Sequence, residues 1–121
     1  MNSSIESMKI AELEEYKKDL KGLSKKYKTL PEDMEIVKKV LRVNPGEKPP
    51  FSFRVSGLSI ETCIIKVKRI ASKSFKGKGG NSGFRLLYAY YKNEKRIVLI
   101  ELYHKSKKAI EDKKRILSHF K

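Results

Sequence analysis

Lys66, Lys68 and Arg85 are the side chains whose types and spacing best suit chemistry, and that chemistry is the handling of a phosphate anion. The two lysines alternate along a strand-like run, so they share one face, and the arginine lies on the strand that follows. Like charges placed side by side repel unless an anion sits between them. No acidic residue occurs from Thr62 to Asn93, whereas Lys66, Lys68, Arg69, Lys73, Lys76, Lys78, Arg85 and Lys92 all fall there. A basic stripe of this kind can track a phosphate backbone.

Other chemistries find less support. Cys63 is the single cysteine, so no internal disulfide can form, and its apolar surroundings read as core. With His104 and His119 as the only histidines, the chain is too poor in Cys and His for a zinc site, and no cofactor is expected. The run Gly77-Lys78-Gly79-Gly80-Asn81-Ser82-Gly83 lacks the spacing and the Lys-Ser/Thr pair of a nucleotide-binding loop. It reads as a mobile basic hairpin, serving either as a soluble turn or as a direct phosphate contact.

These side chains need elements to hold them. Leu13, Tyr16, Leu20, Leu23 and Tyr27 recur at helical spacing and predict a first helix. The segment from about Ser3 to Ile10 fits an edge strand or a helix lead-in. A second helix starts near Leu30, with Pro31 in its first turn and a capping-box spacing of Thr29 and Glu32. It ends at Asn44-Pro45-Gly46. Residues 44–60 read mostly as loop, with Phe51, Phe53, Val55 and Leu58 available to cover the core edge. Period-two runs follow at 63–70, 84–91 and 96–105, with a tight turn at Lys92-Asn93-Glu94-Lys95. A last helix is expected from Ser106 to Phe120, packing Ala109 and Ile110 and pairing Glu111 with Arg115. The expected fold is α+β in a single domain, 1–121: a helical hairpin packed on a small antiparallel sheet, with a C-terminal helix and one sheet face partly open.

The chain has 121 residues, room for one modest core. With 29 Lys and Arg against 14 Asp and Glu, its formal charge is +15, which favours a polyanionic partner such as nucleic acid or an acidic protein. No apolar run approaches the ~20 residues that span a bilayer. Met1 to Ser7 carries no hydrophobic signal core. A soluble, reduced, cytoplasmic protein is expected, without a membrane partner.

The stretch from Ile64 to Ile116 resembles the RelE/ParE superfamily of bacterial toxins, closest to the RNA-cutting RelE and HigB branches. The residues that carry the resemblance are Lys66-Val67-Lys68-Arg69, Ser82-Gly83-Phe84-Arg85-Leu86-Leu87-Tyr88 and Ile100-Glu101-Leu102-Tyr103-His104-Lys105-Ser106. The phrases Lys18-Asp19-Leu20-Lys21 and Leu30-Pro31-Glu32-Asp33 are also similar, while residues 44–60 match poorly.

The resemblance implies metal-independent cleavage of mRNA, often on the ribosome, and neutralisation by a cognate antitoxin, expected to bring an acidic segment. It implies a catalytic set of Lys66, Lys68, Arg85, His104, Tyr103 and Lys105; the basic stripe adds Arg69, Lys73, Lys76 and Lys78 as RNA contacts. An ungapped count back from Arg85 would select Lys76 and Lys78 in place of Lys66 and Lys68. The arginine and final-helix tyrosine of the RelE branch are missing, since Ser106 follows the last strand here. Arg85 would grip the phosphate. A crowded lysine could serve as base, and His104 as acid or base. Tyr103 could stack on a nucleobase. Strand alternation places Tyr103 and His104 on opposite faces, and either could line the groove. Two other readings share these features: a ParE-like gyrase poison without nuclease activity, and a non-catalytic RNA-binding protein.

Overall fold

A computed structural model describes residues 8–121. Its elements in chain order are β1 (Lys9–Glu12), α1 (Glu14–Ser24), α2 (Leu30–Val43), β2 (Ser52–Arg54), β3 (Cys63–Val67), β4 (Phe84–Tyr91), β5 (Arg96–His104) and α3 (Lys113–Phe120). The α+β class matches expectation. The sheet is mixed, however. Its five strands run in the order β1-β5-β4-β3-β2, with β1 parallel to β5 and every other pair antiparallel. The chain leaving β1 enters the helical hairpin, so no tight turn imposes antiparallel pairing on β1 and β5. Of the segment read as strand or helix lead-in, Lys9 and Ile10 fall in β1, and Ser3 to Ser7 lie outside the described residues.

The helical hairpin buries its apolar stripe on one sheet face. Tyr16, Leu30, Met34 and Leu41 meet Ile65, Val67, Phe84, Leu86, Tyr88, Ile97 and Leu99 there. Glu14 and Glu15 in the first turn of α1, and Lys21 in its last, oppose the helix dipole. Pro31 opens α2 as expected, but the capping box does not form. Thr29 has helical backbone angles, and its hydroxyl donates to Asp33 at 2.9 Å.

The opposite face is less open than expected. Leu58, Ile64, Leu87, Ala89, Val98, Ile100, Tyr103 and Ile116 form a second cluster under α3. That helix begins seven residues later than expected, at Lys113, because Asp112 caps it by accepting from the Arg115 N–H at 3.0 Å. Ala109 and Ile110 are exposed and take no part in packing. The expected Glu111–Arg115 pair is absent: Glu111 meets Lys66 at 2.9 Å, and Arg115 meets Asp19 at 2.7 Å. Residues 44–60 are mostly loop, as expected, and contain the short strand β2, which is three residues long and gives little periodicity to detect.

One irregularity in β5 decides which of its side chains reach each sheet face. Leu87 pairs with Glu101 but Tyr88 pairs with Leu99, so Ile100 is the extra residue of a bulge. Beyond it, Tyr103 stays on the α3 face, while Leu102 packs beneath the helical hairpin. Among the described residues, no helix is long and apolar enough to cross a membrane.

Candidate functional site

A cleft opens where β3 and β4 meet the exit of β5. It holds about 300 Å³ and is lined by Pro50, Phe53, Lys68, Arg69, Asn81, Gly83, Arg85 and Lys105. Four of these eight are cations and none is acidic. Register explains the convergence. Val67 pairs with Leu86, so Lys68 follows beside Arg85, and Arg85 pairs with Tyr103. The Lys105 N–H donates to the Gly83 carbonyl at 2.9 Å, which extends the β4–β5 ladder and brings Lys105 to the rim.

The cleft cations are uncompensated among the described residues. None of Lys68, Arg69, Arg85 or Lys105 forms an ion pair among the described residues. Arg85 Nη1 donates to the carbonyls of Lys68 at 3.0 Å and Phe84 at 3.3 Å. Those bonds orient the guanidinium while its other donors remain open among the described residues. Lys68 Nζ lies 5.4 Å from the Phe53 ring centroid, a cation–π approach that holds the stem across the cleft wall. An aromatic ring, an amide at Asn81 and four cations are a set that binds a phosphate-bearing ligand with an unsaturated ring.

The other residues named from sequence lie elsewhere. Lys66 shares the face with Lys68, one alternation step away, but its amine is engaged with Glu111 and its side chain is only 13% exposed. Burial works against its charge; the Tyr103 oxygen and the Glu111 carboxylate outweigh it and raise its pKa above the ordinary lysine range. This is the reverse of the crowding expected to make it a base. The amine faces a carboxylate where neighbouring cations were expected. Tyr103 is buried beside it, with Lys66 Nζ 5.6 Å and Lys108 Nζ 5.1 Å from its ring centroid.

His104 turns to the helical-hairpin side. Its ring stacks with Tyr27 and Phe75 at 5.8 and 5.3 Å and meets Phe84 edge-on. Nδ1 accepts from the Ser106 N–H at 3.1 Å, so the proton sits on Nε2, which donates to the Ser82 carbonyl at 2.8 Å. Both nitrogens are occupied by the corner that shapes the cleft floor.

The first half of the 69–83 loop is tied to the helical hairpin. Asp33, buried on α2, accepts from the Ser72 hydroxyl at 2.6 Å and the Lys73 N–H at 3.2 Å. Thr29 and Ser74 hydroxyls meet at 2.7 Å, and Phe75 packs into the core beside Tyr27. The loop therefore carries Lys73 to Glu32 and sets Lys76 beside α2, while Lys78 is exposed outside the cleft lining. Only Arg69 of the four expected RNA contacts lines the cleft. Phe53 and Asn81 are lining residues that the sequence does not announce. Phe53 reads from sequence as core cover, and a lone asparagine in a glycine-rich run carries no signal of its own.

Among the described residues, no group of three or more His, Cys, Asp or Glu could hold a metal ion. No family model, curated protein or solved structure matches this chain.

Proposed function

We propose that the chain is a toxin of RelE/ParE type, a metal-independent endoribonuclease that cuts mRNA in the cytoplasm, on the ribosome, and so stops translation. The observation that carries this reading is the cleft that, among the described residues, has no acid in its lining and four cations without an ion pair. In it, Arg85 would grip the scissile phosphate through its open donors. The 2′-oxygen attacks the adjacent phosphorus, its proton passes to one of Lys68 and Lys105, and the P–O5′ bond breaks. The other lysine returns a proton to the leaving 5′-oxygen. Phe53 would stack on a neighbouring base.

An antitoxin with an acidic, amphipathic segment is the partner this surface suits. Ile36, Val40 and Val43 are exposed along α2, and the adjoining groove is walled by Phe51 and Ala71 with Arg69 at its edge. Apolar anchors beside cations favour a helix with acidic flanks.

One observation favours a second reading, RNA binding without cleavage. Among the described residues no imidazole or carboxylate lines the cleft, which leaves its lysines to move both protons. The test is incubation of the purified protein with ribosome-bound and free mRNA in EDTA, read by primer extension. New 5′ ends that vanish with Arg85→Ala support the nuclease. RNA retained intact but bound, with binding lost in Arg85→Ala, moves the assignment to the binding protein. No association with RNA removes both.

A further inference from the structure

We propose that Lys66, Lys108 and Tyr103 form a second phosphate subsite beside the cleft, which the chain's own Glu111 carboxylate fills in the free protein and an RNA backbone takes over on binding. The proposal rests on the RNA-binding reading of the cleft and extends it along the same sheet face.

Three observations converge on it. Lys66 lies two residues before Lys68 on one strand face, so it continues the line of cleft cations at the spacing of alternate strand positions. Its partner Glu111 belongs to no helix or strand; it ends a segment whose residues 105–110 are all exposed, Ile110 among them at 57%. Tyr103 supplies the third. It is only 5% exposed, yet among the described residues no acceptor takes its hydroxyl proton, and two lysine amines lie over its ring. A buried donor without an acceptor, next to two cations, is the signature of a place an anion can enter.

Exchange is the inexpensive route. Lys66 at 13% exposure cannot be left without a counter-charge, and a carboxylate and a phosphodiester each bring one negative charge. Replacing Glu111 with phosphate keeps Lys66 compensated, lets the Tyr103 hydroxyl donate, and returns Glu111 to water on its irregular segment. Lys108 is held by Glu101, which also accepts from the Asp112 N–H at 2.8 Å, so the base of the segment stays anchored while Glu111 leaves.

The test uses a short 2′-O-methyl RNA oligonucleotide, which binds without offering a 2′-hydroxyl nucleophile. Glu111→Gln should tighten its binding several-fold and steepen the salt dependence by about 0.7 in log–log slope, the increment for one more phosphate contact on a single strand. Adding Lys66→Ala should cancel that gain. Unchanged or weaker binding by a folded Glu111→Gln protein overturns the proposal and leaves a structural ion pair. Should that variant not fold, amide resonances of wild type decide: shifts at Glu111 and Asp112 on adding the oligonucleotide support displacement, and shifts confined to the cleft residues overturn it. Arg85→Ala separates the two readings. If wild type binds no oligonucleotide, the function itself fails; if Arg85→Ala abolishes binding while Glu111→Gln changes nothing, only the subsite fails.

Discussion

Gly83 and His104 meet at one corner with no room to spare. Gly83 has φ +96, and a Cβ there would stand 2.6 Å from His104 Nε2 and 2.9 Å from Cε1. Gly83→Ala should therefore cost about 2 kcal/mol or more, from the backbone conformation and the displaced imidazole together. His104→Ala removes the stacked ring and leaves the Ser82 carbonyl and the Ser106 N–H without their partner, an expected loss of about 2–3 kcal/mol. Arg85→Ala behaves in the opposite way. Its hydrogen bonds are exposed or half-exposed, so stability should fall by about 1 kcal/mol or less while RNA binding is lost. Urea titrations paired with an RNA-binding assay check all three. A His104→Ala protein of wild-type stability would return His104 to the list of reacting groups.

At the scale of elements, two attachments decide where the basic residues stand. The first is Asp33, which fixes the 69–83 loop to α2. Asp33→Ala should cost about 2–3 kcal/mol by stranding the Ser72 hydroxyl and the Lys73 N–H. It should also raise amide exchange at Lys73 and Ser74. Equal exchange in the two proteins would show that Phe75 alone holds the loop. The second attachment is the α3 region. Burial works against the charged form of Glu111, but the bonds from Lys66 and from its own backbone outweigh it and hold its pKa below the ordinary 4.5. The unfolded chain thus takes up this proton at higher pH than the folded one. The stabilisation is fully present above about pH 5 and drains away as pH falls through 4.5 toward the depressed value. Urea midpoints measured between pH 6 and pH 3 should fall less in Glu111→Gln than in wild type. Parallel curves would assign the acid sensitivity to other carboxylates.

For the whole molecule, charge sets the dominant force. A net +15 makes any RNA contact strongly salt-dependent. If the four cleft cations each meet a phosphate, the log–log slope for a single-stranded oligonucleotide should be about −3, and Lys68→Ala should make it shallower by about 0.7. A slope unaffected by Lys68→Ala would mean that the molecule binds through its diffuse surface charge and that the cleft has no special part.

Local periodicity is a property of the chain itself, and it was enough to determine much of the fold. The range of β4, the turn at 92–95, both helices of the hairpin and the shared face of Lys66 and Lys68 were all legible, because each depends on neighbours within a few residues. The absence of acids from Thr62 to Asn93 was equally plain, and with it the basic character of the strands that build the cleft. What only the tertiary structure decided was which cations stay free. Lys66 and Lys68 are equivalent in sequence, yet Lys66 finds Glu111, 45 residues away, while Lys68 meets no carboxylate among the described residues. Arg115 reaches Asp19 across 96 residues in place of Glu111 one turn away. The bulge at Ile100 was equally hidden, since an extra residue leaves no mark until the partner strand fixes the register. Charge compensation acts through space, so the sequence could supply the cations and their strands, but only folding could determine which of them face an open cleft.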